Sequence, residues 1–260
     1  MDYRQLLRDI FTLNVTSLRA RGVKLSGIVM RKLVGQKPNE VIVEEIPVII
    51  NNRNRFTYLL ELIEWLEKAG MKNITILDND STYLPLLAYY ATTKHRVVKL
   101  GANVGHLALW KSDLYNEVRS KYYIYTDPDV VPAKECPHDL VNVLLSGLKK
   151  YNVIQKMGVG LKIDDLPDHY ASKQKVIEWE TQFWKQEIEP GIYNAAVDTT
   201  LALYRPYTNG AVWVAPAFRT GEPYVAHHMP WYENSSAPGE ENEYYAKNVR
   251  QGASHWIEKK

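Results

Sequence analysis

With one cysteine, Cys136, in 260 residues, the chain can form no internal disulfide and no zinc site built from several cysteines. No window approaches the roughly 18 uninterrupted apolar residues that a membrane span requires. The first residues do not read as a secretory leader: Arg4, Arg8 and Asp9 interrupt the apolar stretch, and no small-residue cleavage site follows. A cytoplasmic location is therefore expected. Repeats and low-complexity tracts are lacking, and so is a large charge of one sign, since the net charge is +2.

That small charge is unevenly placed. Residues 1–37 hold eight Lys and Arg against Asp2 and Asp9, a net +6, so the remaining chain is slightly acidic at −4. An acidic body argues against nucleic acid as a partner. The basic arm also carries Leu6, Leu7, Ile10, Phe11, Leu13 and Leu18. Two readings follow: peripheral contact with an anionic membrane surface, or a helix packed on the domain with its charges in solvent. The expected division is an arm over 1–40 and a single domain over 41–260, split into halves at 131/132.

From residue 41 the pattern is regular. Val41–Val43 and Ile46–Ile50 read as a buried strand that runs into the polar Asn51-Asn52-Arg53-Asn54-Arg55. Leu59, Leu62, Ile63, Leu66 and Ala69 have helical spacing, stopped by Gly70. Ile74–Leu77 is a second strand ending at Asp78-Asn79-Asp80-Ser81, and a helix over 82–92 leads to a third, Val97–Leu100. The turn Gly101–Gly105 opens a helix carrying Leu107, Leu109, Trp110 and Leu114, and a fourth strand, Tyr122–Tyr125, runs into Asp127-Pro128-Asp129. Strand and helix alternating through short connections predict a parallel sheet covered on both faces. Ligands of such sheets collect beyond the carboxyl ends of the strands, where all four polar clusters fall. After residue 150 the rhythm changes. Strands are expected at Met157–Ile163 and Thr199–Tyr204, a helix over 171–187, turns over 205–223 with a short apolar run at Ala211–Val214, and a mobile loop at Glu233–Glu243.

Asp127-x-Asp129 carries most of the chemistry. Two carboxylates two residues apart at the mouth of a strand can hold a divalent cation, which neutralises a diphosphate leaving group. Asp78-x-Asp80 is a second match, but it follows the second strand, where a carboxylate can accept hydrogen bonds from a base or ribose. Arg53 and Arg55 at the first strand end suit a base or phosphates, and Arg219 is a further candidate for diphosphate charge.

In order and spacing, residues 46–131 resemble the nucleotide-binding half of family 2 GT-A glycosyltransferases. There, an Asn/Arg loop ends the first strand, an acidic Asp-x-x-Ser the second, and an Asn-x-Gly turn precedes the metal-binding Asp-x-Asp. The counterparts are Asn51–Arg55, Asp78–Ser81, Asn103-Val104-Gly105 and Asp127–Asp129. The resemblance implies an α/β GT-A fold: one Rossmann-like nucleotide-binding sheet with a smaller, mixed acceptor-binding C-terminal half. It further implies a hexosyltransferase using a nucleotide-diphosphate sugar, with a UDP-sugar favoured, and a glycan or glycolipid acceptor in polysaccharide assembly. It assigns Asn51, Asn52, Arg53, Arg55, Asp78, Asp80, Asn103, Gly105 and Asp127 to the nucleotide sugar. Such enzymes commonly complete the metal site with a histidine about a hundred residues after the Asp pair, and His228 lies 99 residues after Asp129. His228 is preferred over the adjacent His227, and His255 stands outside. The expected metal set is Asp127, Asp129 and His228, a mix that suits Mn2+ better than Mg2+.

Inverting transfer needs a carboxylate to take the acceptor's proton. The order of Asp pair, base and histidine points to Asp198, with Asp165 as runner-up and Asp164 a candidate for binding acceptor. Trp231 and Tyr232 are expected to present ring faces to a sugar. One departure stands out: no Glu-Asp pair marks a helix start, where many relatives place their base. The alternatives are a non-catalytic binder of nucleotide sugars or glycans, and a sugar nucleotidyltransferase. The latter is disfavoured because residues 51–55 hold neither glycine nor lysine. A Rossmann dehydrogenase is disfavoured because no Gly-x-Gly-x-x-Gly follows the first strand.

Overall fold

A computed structural model describes residues 41–198, 200–208 and 216–248. The basic arm, the apolar run at 211–214 and His255 lie outside the described residues. No described helix is long and apolar enough to cross a membrane.

Four strands form a parallel unit: β1 (Val48–Asn52), β2 (Ile74–Asp78), β3 (Arg96–Lys99) and β4 (Tyr123–Thr126). Their spatial order is β3-β2-β1-β4, so the winding reverses between β1 and β4. β1, β2 and β4 are buried throughout, which is why they read as apolar runs rather than alternating ones. Helix α1 (Thr57–Lys68) turns Leu59, Leu62, Ile63 and Leu66 onto the sheet and ends at Gly70, whose φ of 80° only glycine adopts without strain. Helix α2 (Leu84–Tyr90) joins it on the same face.

The second half extends the same sheet. Its strands are β5 (Val130–Pro132), β6 (Lys156–Leu161), β7 (Glu187–Glu189), β8 (Ile192–Asn194), β9 (Ala202–Tyr204) and β10 (Ala217–His228). From β4 the order continues β9-β6-β10-β8-β7, with β5 paired to the far end of β10. β9 is antiparallel to both β4 and β6, while β6 and β10 are parallel. The expected α/β architecture, a parallel Rossmann-like half followed by a mixed half, is what the chain has.

Several boundaries differ from expectation. Residues 41–45 are not strand: Val43–Glu45 form a 3-10 turn and Ile42 is 61% exposed. The helix expected after Gly105 is broken into a 3-10 turn, Leu109–Lys111, and the short helix α3 (Leu114–Val118). Ser112 causes the break, since its hydroxyl bonds the Leu109 carbonyl at 2.8 Å while its own backbone is extended. Helix α4 (Leu140–Lys150) packs on the larger core, and α5 (Lys173–Glu180) stops short of 187 in a 3-10 turn and β7. Part of the expected Glu233–Glu243 loop is helix α6 (Glu240–Asn248), whose first turn carries Glu240, Glu241 and Glu243, where the helix dipole favours negative charge. The turn-rich stretch from 205 instead contains most of β10. A bulge between Thr220 and Val225 takes up Gly221 and Pro223, the residues that argued against a strand.

Candidate functional site

Three asparagines tie the strand-end loops of the parallel half together. Asn54, buried and with a φ of 55°, accepts from the Thr82 and Tyr83 amides at 2.6 and 3.0 Å, and its own amide donates to Ser81 at 3.0 Å. Asn79 donates to the Gly105 carbonyl at 3.0 Å and accepts from the Val104 amide at 2.8 Å. Asn103 accepts from the Gly105 amide at 3.1 Å. Below them, Asn52 donates to the Tyr90 hydroxyl at 2.9 Å, and that hydroxyl donates to Asp78 at 3.1 Å. Burial, then the Asp78 charge, pushes the Tyr90 phenol well above its ordinary range. Asp80, at φ 68°, closes the same loop. The Oδ1 atoms of Asn51 and Asn52 are buried and have no protein hydrogen-bond partner.

The winding reversal between β1 and β4 leaves a crevice at their carboxyl ends, where an open sheet binds its ligand. Asp127-Pro128-Asp129 sits on the β4 side as the turn into β5, and Arg55 on the β1 side. Pairing of β5 with the end of β10 sets His228 opposite Val130, and the Met229 amide donates to the Asp129 carbonyl at 2.8 Å. Hence His228 Nε2 stands 4.0 Å from Asp129 Oδ1, while Arg55 Nε approaches Asp129 Oδ2 at 3.9 Å. Burial holds the His228 imidazole below its ordinary pKa, with Asp129 pulling the other way. The neutral ring, which is the ligating form, is thus favoured. His228 Nδ1 is buried without a hydrogen-bond partner.

Arg55 is the hub of the crevice. Its Nη1 donates to Asn242 at 2.6 Å and lies 3.9 Å from Glu233, and its guanidinium stacks 3.6 Å over the Tyr245 ring. Tyr58 donates to Glu233. Burial raises the Glu233 carboxyl, opposed by Tyr58 and Arg55. Arg53 donates to the Asn248 carbonyl at 2.7 Å. Helix α6 therefore covers the crevice mouth: Glu233, Glu241 and Asn242 belong to the Glu233–Glu243 segment expected as a loop closing over the donor, whereas Tyr58 and Tyr245 join a site that sequence reasoning did not give them. No local signal marks them, because their partners lie far away along the chain.

Other expected residues fall elsewhere. His227, one residue out of phase with His228, faces Asp165 at 3.3 Å and packs on Tyr232 at 4.5 Å between ring centroids. Tyr232 donates to Asp165 at 2.6 Å, and Asp164 pairs with Lys162 at 3.0 Å. Trp231 is 1% exposed and packs tilted against His228 at 4.6 Å between ring centroids, so it braces that histidine and offers no open face to a sugar. Arg219 is 3% exposed and paired with Glu180 at 2.9 Å, so its charge is taken up inside the protein. Asp198 is exposed. The β4/β9 register, Tyr125 opposite Ala202, brings the start of β9 back toward the Asp127 end of β4. The Asp198 and Asp127 charges, after burial, both raise the Tyr204 phenol lying between these segments.

Among the described residues no group of three or more His, Cys, Asp or Glu side chains is placed to hold a metal ion. Asp129 and His228 form a pair of the right donor chemistry, carboxylate oxygen and neutral imidazole nitrogen, for a cation whose remaining positions come from a ligand or water.

No protein-family model and no curated protein sequence matches the chain. Among solved structures, similarity is found to glucosyl-3-phosphoglycerate synthase from Mycobacterium tuberculosis in complex with phosphoglyceric acid, at 13% identity over 69% of each chain and a TM-score of 0.42. The same enzyme in complex with Mn2+ and UDP-glucose gives 14% identity over 66% of this chain and 62% of that one, with a TM-score of 0.40. An apo UDP-glucose pyrophosphorylase gives 10% identity over 78% of this chain and 100% of the other, again with a TM-score of 0.40.

Proposed function

We propose that the chain is a GT-A glycosyltransferase that moves a sugar, with inversion, from a nucleotide-diphosphate sugar to a hydroxyl of a glycan or glycolipid. The observation that carries this reading is the facing pair Asp129 and His228, at 4.0 Å, on the crevice where the winding of the sheet reverses. Asn51, Asn52 and Asp78 at the ends of β1 and β2 would receive the base and ribose of the donor, a UDP-sugar in our reading. A divalent cation held by Asp129 and His228, with Asp127 beside them, would supply positive charge to the diphosphate as it departs.

The chain's own residues then have separable roles. Arg55 and Arg53 add fixed positive charge on the β1 side. Asp198 accepts the proton of the acceptor hydroxyl as its oxygen bonds the anomeric carbon and the sugar–phosphate bond breaks, its electron pair leaving with the diphosphate. Helix α6 and Tyr245 exclude water that would otherwise hydrolyse the donor.

The test is a thermal-shift series with UDP, GDP, CMP and dTDP and their sugars, with and without Mn2+, followed by turnover with the stabilising donor. Stabilisation by one nucleotide diphosphate that needs metal, lost in Asp129→Ala, is the expected result. No stabilisation by any of them would overturn the reading.

A further inference from the structure

Strand β6 reads Lys156-Met157-Gly158-Val159-Gly160-Leu161, and its two faces differ in kind. Met157, Val159 and Leu161 enter the larger core. The alternate row, Lys156, Gly158 and Gly160, is a floor for other segments. A Cβ on Gly158 would meet Val197 at 2.7 Å and Ala202 at 3.3 Å, and one on Gly160 would meet Trp184 at 2.7 Å. Val197 thus rests directly on the β6 backbone. Lys156, the one charged member of this row, is 0% exposed and donates from Nζ to the Val197 carbonyl. It lies 5.4 Å from the centroid of the Tyr204 ring. The preceding carbonyl, of Ala196, accepts from Arg219 Nε at 2.7 Å. Two buried cations therefore hold two successive carbonyls of the segment that delivers Asp198.

We propose that Lys156 is a positioning residue: its ammonium, fixed in β6 under residues 195–198, holds that segment so that the Asp198 carboxylate stands at the Asp127 end of β4. This rests on the reading of Asp198 as the base. A buried ammonium is costly, and an apolar side chain of similar length in its place is commonly neutral or stabilising, so packing alone does not explain a lysine here. Burial drives its pKa down to about 7, and the charge that opposes this is that of Asp198.

The experiment compares wild type, Lys156→Met, Asp198→Asn and the double variant, reading melting temperature, amide exchange at 195–198, donor KM and kcat. The expected result for Lys156→Met is an unchanged or higher melting temperature with exchange at 195–198 faster by about tenfold or more. Its kcat is expected to fall about tenfold or more with donor KM within about twofold, the signature of a lost transition-state interaction. Because Lys156 acts through Asp198, adding Lys156→Met to Asp198→Asn should cost nothing further. Unchanged exchange in Lys156→Met overturns the proposal whatever the activity, and so does an equal kcat loss in both backgrounds. Turnover retained in Asp198→Asn alone is a different failure, that of the base assignment, and it also removes Lys156's catalytic role. If Lys156→Met does not fold, Lys156→Leu, which likewise offers no donor to the Val197 carbonyl, is read in the same way.

Discussion

Glu241 caps a helix that is 184 residues away in sequence. Its carboxylate accepts from the Phe56 amide at 2.9 Å, the Thr57 amide at 2.9 Å and the Thr57 hydroxyl at 2.7 Å. These are amides at the start of α1, whose own N-cap residue, Phe56, contributes no side-chain cap. Glu241→Ala removes a cap worth about 1 kcal/mol and a favourable charge–dipole contact worth about 0.3–1 kcal/mol. The hydroxyl bond adds a few tenths, about 2 kcal/mol in all, since water reaches this edge. That energy also ties α6 to the domain, and α6 has no buried residue of its own. An element anchored this way opens locally before the domain unfolds. Two kcal/mol therefore goes mainly into release of α6, raising the open population about thirtyfold at 1.4 kcal/mol per factor of ten. Amide exchange across 240–248 measures it: about thirtyfold faster in Glu241→Ala, against about fivefold or less in Glu243→Ala, which removes an exposed pair with Lys247 and one first-turn charge of α6. The melting temperature should fall by no more than about 2–3 °C. A fall larger than about 5 °C with exchange in α6 unaltered would mean that the helix is part of the cooperative unit, and the reasoning would fail.

Three further outcomes are expected. Glu180→Ala leaves the Arg219 guanidinium buried and unpaired and should cost about 3–5 kcal/mol, read as a lower urea midpoint at constant m-value. His228→Ala should abolish the Mn2+-dependent part of the nucleotide-induced thermal shift, while His227→Ala keeps it; the reverse would exchange the two histidines' roles. Lys156 sets a pH dependence: its folded pKa of about 7 lies below the ordinary 10.5, so between those values the unfolded chain binds the extra proton. Stability should therefore rise with pH across that window, with a slope from this group of up to about 1.4 kcal/mol per unit, and Lys156→Met should remove it. Urea midpoints at pH 7, 8.5 and 10 for both proteins make the comparison, and equal slopes would refute it.

The parallel half was legible because local and tertiary demands agree there. β1, β2 and β4 are buried on both faces and so appear as apolar runs, and each ends in polar residues that bond across neighbouring loops. The second half obeys no such local rule. β10 is broken by Gly221 and Pro223, which only a bulge against β6 accommodates, so its length is a tertiary fact. α6 lacks an apolar stripe and is held by Arg53, Arg55 and the start of α1. Asp129 and the choice between adjacent histidines show the same division. The carboxylate is visible as a motif, whereas the orientation of His228 depends on the register of a three-residue strand. Trp231 was misjudged because an aromatic beside histidines looks the same in sequence whether it faces solvent or braces a ring.

That register has a consequence for how the chain tolerates change. Successive residues of a strand point to opposite sides, so the bulge in β10 fixes the parity of everything after it. Deleting one residue between Gly221 and Tyr224, if the bulge did not absorb it, would put His228 in the place of His227, toward Asp165, and Met229 in the place His228 now holds beside Asp129. An odd insertion or deletion that the bulge does not absorb therefore rewires the crevice from a distance.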